Sequence, residues 1–495
     1  MRDAESETTD TAVELLPLLD SRHPIPGPPG PTPGGSRELL KLALPLVISQ
    51  SFMTVQVLAD TLLLARHDTD EMSASFPAMM WYWLAFGFLS VTAGYTSTFV
   101  AQYTGANRPR RVGPAVWQGV YFALGAGLLF LLMVPFAPFL ISLADHEAHF
   151  QRLEVTYLRC LSFAALPMLV MSAVNGFFSG RGQTWTVLGI EAFGTAVNVG
   201  LALLLIFGRG GFPAMGIEGA GWATVAGSWA AALLALALFL RRKYRAEYAT
   251  GSGWRYDPAL FRRLMKYGGP AGMQLFLDIL VFHLFTQMVG QLGPAALGAT
   301  TLTVRFNMVA FLPMMGLGQA VCILVGQRLG ADRPDLAEKT AYSGVRWTFG
   351  YMCLVAAVYL LIPGVLVTAF EPDHDPEKFA AIAEIVPSLL ICVAIYSLAD
   401  SVNVTFAFAL RGAGDTRFVT WLTFLIAWPV MVVPTYFVVR AGLSLYWAWG
   451  FATAFIIIMA ACFTWRFRTG KWKTMRVIEP EVADGAEGDE KAERG

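Results

Sequence analysis

FVAQYTGANRP (residues 99–109) and LVGQRLGADRP (residues 324–334) are two copies of one pattern, QxxGAxRP, set 225 residues apart. Each follows a long apolar run and ends on a proline. The same offset pairs Pro45 with Pro270. Further on, GRGQT (180–184) matches GAGDT (412–416) at an offset of 232, a drift that loop length absorbs. Apolar helices resemble one another by chance, but polar turns at a fixed spacing do not. The chain therefore reads as a duplication, its halves joined by RRKYRAEYATGSGWRYDPALFRRLMK. An even number of helices per half makes the repeats parallel, which places a ligand site between the halves.

Composition puts this duplication in a membrane. Of 495 residues, 55% are hydrophobic and 15% charged, too apolar for a soluble chain of this size. Twelve segments are long enough to cross about 30 Å of hydrocarbon, centred near Met53, Phe88, Phe130, Leu169, Ala196, Ala231, Leu280, Pro313, Val355, Ala394, Met431 and Phe455. The fold class is all-α, with two six-helix lobes. Connections after even-numbered helices carry most of the arginines and lysines, while RHDTDE and EPDHDPEK after odd-numbered ones are acidic. The positive-inside rule then places both termini and all the paired turns in the cytoplasm, in a multi-pass plasma (inner) membrane protein.

The expected organisation is a disordered tail (1–37) with the run PIPGPPGPTPGG, an N-lobe (38–241), a basic linker (242–257), a C-lobe (258–468) and a polar solvated tail (469–495). No basic segment followed by a short apolar one opens the chain, so the first hydrophobic helix is expected to act as the insertion signal. The zero net charge gives no reason to expect nucleic acid, and the five cysteines lie in apolar stretches without metal-ligand spacing. The scattered histidines form no catalytic cluster, which argues against an integral-membrane enzyme.

LRGAGDTR after helix 10, GRGQT after helix 4 and the paired QxxGAxRP turns resemble the multidrug and toxic compound extrusion (MATE) family over roughly residues 38–468. The resemblance implies a V-shaped pair of lobes working as a monomer by alternating access. It also implies export of small organic, often cationic and amphipathic, compounds in exchange for H⁺ or Na⁺, with no other cofactor. A lipid-linked oligosaccharide flippase of the same superfamily would share the lobes, but its cavity is expected to carry several basic residues. A passive channel fits poorly with duplicated halves and buried acids.

Ionisable residues inside the spans locate the chemistry, because an Asp at a helix centre costs about 2.5–3.5 kcal/mol and needs a cavity, partner or ion. Asp60, Glu191, Asp278 and Asp400 qualify. Gln274 lies one turn before Asp278; Tyr396 and Asn403 lie one turn before and after Asp400, on one stripe of helix 10. These oxygens suit Na⁺, and two neighbouring carboxylates equally suit a shared proton. The NorM-type branch of the family places a cation site at an acid in helix 7 with Tyr and Asp in helix 10, and Asp278, Tyr396 and Asp400 resemble those positions. Asp60 resembles the family's helix 1 acid, although Ala202 stands where another branch has a second Asp; Asp60 is a candidate either to pair with Asn198 or to satisfy backbone near the Pro45 kink.

Arg305, about ten residues into helix 8, is expected to need a carboxylate partner. If that partner is Asp278 or Asp400, the site already holds a positive charge, which favours protons or a gating role for Arg305. His283 is a candidate for a proton relay or for helix packing. Met314 and Met315, between Pro313 and Gly316, are candidates to line an adaptable substrate cavity, with Glu191. The aromatics of PAMMWYWLAFGF read as an interfacial belt.

Overall fold

The computed structural model describes residues 35–142, 146–368 and 376–480. The proline-rich segment before residue 35, the centre of the acidic loop at 369–375 and residues 481–495 lie outside the described residues. Among the described residues every regular element is helical, and twelve helices are long and apolar enough to span a bilayer. We number them α1 (Ser36–His67), α2 (Thr69–Gly105), α3 (Pro109–Phe130), α4 (Ala148–Gly180), α5 (Thr184–Leu205), α6 (Gly216–Phe239), α7 (Pro258–Gly290), α8 (Pro294–Gly330), α9 (Pro334–Leu361), α10 (Phe379–Ala413), α11 (Thr416–Arg440) and α12 (Leu445–Arg468). Helix 3 stops at Phe130, where the sequence centres it; the chain breaks at Leu131 and continues as a short helix, Met133–Ser142.

Local chemistry sets the ends. Asp257 caps α7 by accepting from the Ala259 and Leu260 amides at 3.0 and 3.1 Å, with Pro258 in the first turn. The paired turns have one construction: α2 and α8 end at Gly105 and Gly330, and Asn107 and Asp332 take left-handed φ values of 55° and 52°. The amides of Arg108 and Arg333 then bond back to the carbonyls of Tyr103 and Arg328 at 2.9 and 2.8 Å, and Pro109 and Pro334 open the next helices. Asn and Asp tolerate the left-handed region better than most residues, which is why they occupy these positions.

Most of α2–α6 shares one hydrophobic core with the start of α7, while α8–α12 build the others together with the first turns of α1 and the later half of α7. The lobes meet where α1 lies on α8 and α2 on α7, the exchange a two-fold relation between halves requires. In a bilayer apolar burial gives little drive to helix association, so close backbone approach and buried hydrogen bonds carry it. The interface is built that way at its arginine-rich end. A methyl group on Gly105 would stand 1.9 Å from the Gln327 carbonyl oxygen, and one on Gly330 would stand 2.0 Å from that of Gln102. The amide of Gln102 donates to the Gly412 carbonyl across the interface at 3.0 Å, and that of Gln327 donates to the Gly180 carbonyl at 2.8 Å. Each QxxG turn thus seats on the glycine turn of the opposite lobe. Glu38 of α1 pairs with Arg328 of α8 beside them.

Away from this end the same four helices lose their partners. Ile48, Met53, Val55 and Leu58 of α1, Phe76 and Met80 of α2, Phe282 of α7 and Met308 and Val309 of α8 are all exposed. The lobes therefore part toward the opposite end, leaving a cleft closed at the arginine-rich side.

One expectation about the chain end is corrected. Residues 471–480 are not a solvated tail: Trp472 is 1% exposed and stacks on Phe467, and Val477 and Ile478 join the core of the first lobe. Apolar residues spaced among the charges let this polar-looking segment dock.

Candidate functional site

Gln274 and Asp278 stand one turn apart on α7, and Tyr396, Asp400 and Asn403 form a stripe on α10. The fold turns these two stripes toward each other. Asp278 lies within electrostatic reach of Asp400, yet it keeps accessible surface deep in the protein, so it faces the cleft. The Asn403 amide donates to Asp400 Oδ1 at 2.9 Å, and Tyr396 is buried beside that carboxylate. Gln274 is buried as well.

The cation in this group is Arg411, not Arg305. Arg411 Nε and Nη2 both donate to Gln274 Oε1, at 3.1 and 2.8 Å, and its charge acts on Asp278. Its guanidinium lies 5.0 Å from the Phe408 ring centroid, and its carbonyl accepts from the Tyr95 hydroxyl at 2.7 Å. By sequence Arg411 belongs to the turn after helix 10, but α10 continues to Ala413. Helical side chains slant toward the N-terminus of their helix, so an arginine in the last turn leans back into the span. Arg417, in the first turn of α11, leans away and is exposed. Asp415, between them, pairs with Arg466 of α12 at 2.7 Å.

Arg305 corrects the expectation of a buried pair. It is exposed and lines an outer groove between α8 and α10 with Pro294, Leu297, Thr301, Phe379 and Ile382. Among the described residues no hydrogen bond or ion pair joins it to Asp278 or Asp400. A long side chain slanting toward the nearer membrane edge needs no buried partner. His283 is exposed five residues beyond Asp278. Met314 is also corrected: it is fully buried against Cys322, Met352, Val404 and Phe408, and only its neighbour Met315 keeps some surface. Tyr82 of the aromatic run is no belt residue, being 3% exposed and stacked on Phe86 at 4.9 Å.

The first lobe holds two further acids. Asp60 is buried with Oδ1 lacking a partner among the described residues, and Asn198 spends its amide on Thr224 at 3.2 Å, so of the two readings the Asp60–Asn198 hydrogen bond does not form. Glu191, a cavity candidate by sequence, accepts from Ser49 of α1 and, at a long 3.4 Å, from Asn175 of α4. It ties three helices together one turn beyond Pro45.

With the geometry in place, a family model described as MatE matches the chain twice, at residues 45–204 and 270–437. The chain belongs to the MatE family. The two matches begin at Pro45 and Pro270, the prolines paired by the 225-residue offset. Among curated relatives, "Probable multidrug resistance protein NorM" of Shewanella oneidensis is 28% identical, covering 80% of this chain and 85% of that one. The protein of the same name from Deinococcus radiodurans is 29% identical over 82% and 89%. "Multidrug resistance protein PmpM" of Pseudomonas aeruginosa is 29% identical over 80% and 82%. The MatE fold itself is shared with solved structures. A MOP superfamily transporter from Pyrococcus furiosus aligns at TM-score 0.80 and 19% identity, covering 89% of this chain and 97% of that one. A structure described as the outward-facing conformation of a multidrug resistance MATE family transporter aligns at TM-score 0.80 and 18% identity over the same shares.

Proposed function

We propose that this MatE protein is a secondary antiporter that exports small organic cations, driven by protons entering at Asp278 and Asp400. The observation that carries the reading is a pair of carboxylates, with Tyr396 and Asn403, facing a cleft that is closed at the arginine-rich end and open at the other. The positive-inside rule makes the closed end cytoplasmic, so the molecule is outward-facing in an inner membrane, with both termini in the cytoplasm. Relatives named as multidrug resistance proteins support small-molecule cargo. A cleft whose conspicuous intramembrane groups are acids favours cationic cargo over the anionic headgroup of a lipid-linked flippase substrate.

Protons suit the site better than Na⁺. Arg411 sets a fixed positive charge beside Asp278, which repels a metal cation that would have to shed its water there. A proton instead neutralises the carboxylate, weakens its hold on a cationic cargo and releases Asp278 from Arg411. One charge moving down the membrane potential supplies about 2.3 kcal/mol per 100 mV, enough to bias a two-state rocker by close to two orders of magnitude.

The test is transport of ethidium in inverted vesicles under an imposed pH gradient or an imposed Na⁺ gradient. The pH gradient is expected to drive it and the Na⁺ gradient alone is not. Asp278→Asn and Asp400→Asn are each expected to reduce the gradient-driven rate at least about tenfold, because a permanently neutral side chain cannot couple to the gradient. Gradient-driven transport at the wild-type rate in both variants would overturn the site.

A further inference from the structure

The chain leaves α12 and docks across both lobes at the closed end. Its 3₁₀ turn, Lys471–Thr474, is fixed to the second lobe by Trp472 and by the Lys473–Glu338 pair at 2.6 Å; Arg476 then pairs with Asp332 at 2.9 Å. The next residues cross to the first lobe. The Val477 amide donates to Gln102 Oε1 at 2.8 Å, occupying the free end of the side chain whose nitrogen already holds Gly412. Glu479 then reaches a cradle drawn from both lobes. Its carboxylate accepts from Tyr103 at 2.7 Å and Arg111 at 2.9 Å in the first lobe, and from Arg263 of α7 at 3.0 Å in the second. Its carbonyl accepts from Arg108 at 3.0 Å.

We infer that residues 471–480 are a tethered latch on the cytoplasmic gate, with Glu479 as an internal anionic ligand bridging Arg111 and Arg263. This rests on the alternating-access reading above. If the lobes part at this end, the start of α7 leaves the first lobe's core and carries Arg263 away from Arg111, so the carboxylate must abandon one of them. Val477 and Ile478 must also either leave the first lobe's core or pull the segment from the second. The latch therefore favours the outward-facing state, and its release belongs to each passage to the inward-facing one. Among the described residues no backbone amide bonds to Gln327, the counterpart of Gln102, as that of Val477 bonds to Gln102.

The latch has a pH signature. Burial alone would raise the Glu479 carboxyl, but hydrogen bonds from Tyr103 and the backbone and the charge of Arg111 outweigh it and hold the group below its ordinary 4.5. The faces around it are otherwise basic, Arg108, Arg111 and Arg263, with Asp257 behind Arg111. A lowered value means the clasp is intact above 4.5 and is lost as pH falls through the folded-state value. Deuterium exchange at the Val477 amide, corrected for intrinsic rate, is expected to accelerate only below that point.

The decisive measurement uses Cys322, 4% exposed and 3.7 Å from Thr98 of the opposite lobe, as a reporter in a full chain whose other cysteines are replaced by alanine. Its labelling by a water-soluble maleimide should quicken by about tenfold in Glu479→Lys, the loss of two charge-assisted contacts being worth that shift. Glu479→Gln should quicken it less. Restoring opposite charges with Glu479→Arg, Arg111→Glu and Arg263→Glu together should return the slow rate, which mere misfolding would not. Unchanged labelling in both single variants would overturn the latch. Should wild-type vesicles show no gradient-driven efflux while Glu479→Lys still exposes Cys322, the latch stands and the antiport reading falls.

Discussion

Gly330→Val is expected to abolish gradient-driven transport and to leave Cys322 open to a water-soluble maleimide. The first added carbon would sit 2.0 Å from the Gln102 carbonyl oxygen and 2.8 Å from its carbon, both of them helix backbone. No rotamer change relieves such a contact, so α2 and α8 must move apart. Overpacking of this kind costs about 1–3 kcal/mol. Separation also breaks the Gln102–Gly412 and Gln327–Gly180 bonds, and leaving a buried amide unsatisfied costs about 1–3 kcal/mol each. Together these shift a closed-to-open equilibrium by at least about two orders of magnitude, which strands the protein with its arginine-rich end ajar. Gly105→Val should match it, since its added carbon meets the Gln327 carbonyl at 1.9 Å. Gly189→Val is the control, because nothing lies within 4 Å of its added carbon. Normal transport by Gly330→Val would show that closure does not depend on this backbone contact.

Arg411→Lys is expected to be nearly as damaging as Arg411→Gln, with gradient-driven transport down at least about tenfold in each. The guanidinium delivers two N–H groups to one oxygen of Gln274 while its charge acts on Asp278 and its face meets Phe408. Lysine presents a point charge and cannot reproduce that fork, so Gln274 is left short of a donor and Asp278 short of a fixed neighbour. With Gln in place of Arg411, Asp278 loses the fixed positive charge that acts on it while Asp400 stays within reach. The readout is the transport rate against external pH: a flattened dependence in Arg411→Gln marks lost coupling, whereas a uniform drop without change of profile would assign Arg411 a packing role alone.

Asp278, Tyr396 and Asp400 were legible because helical spacing is local: residues four apart share a face whatever the helix packs on. The QxxGAxRP and glycine turns were legible as a pair for a related reason, since duplication leaves matched positions in a linear chain. Their use was not. That Gln102 would seat on Gly412, and Gln327 on Gly180, depends on two lobes meeting about a two-fold axis, and no local pattern records which turn faces which.

The same distinction explains the corrected residues. By sequence Arg411 counts with the turn after helix 10 and Arg305 lies inside helix 8, and neither position says where the side chain points. Their roles follow from the slant of side chains toward each helix's N-terminus and from the actual end of α10 at Ala413. Met314 is sealed in the core because of the rotation of α8, which a helix apolar on every face does not reveal. Residues 471–480 seemed too polar to pack; their buried groups are few, but each meets a partner far away in the chain.

By itself, then, the order of residues determined twelve apolar spans, two related halves, the basic side of the membrane and the carboxylates in the spans, because hydrophobic length, repetition and charge count are properties of a line. Only the tertiary structure decided which arginine neighbours Asp278, how the paired turns interlock and what the chain does after α12, because those depend on helix rotation and on contacts between lobes, where distances in sequence no longer set distances in space.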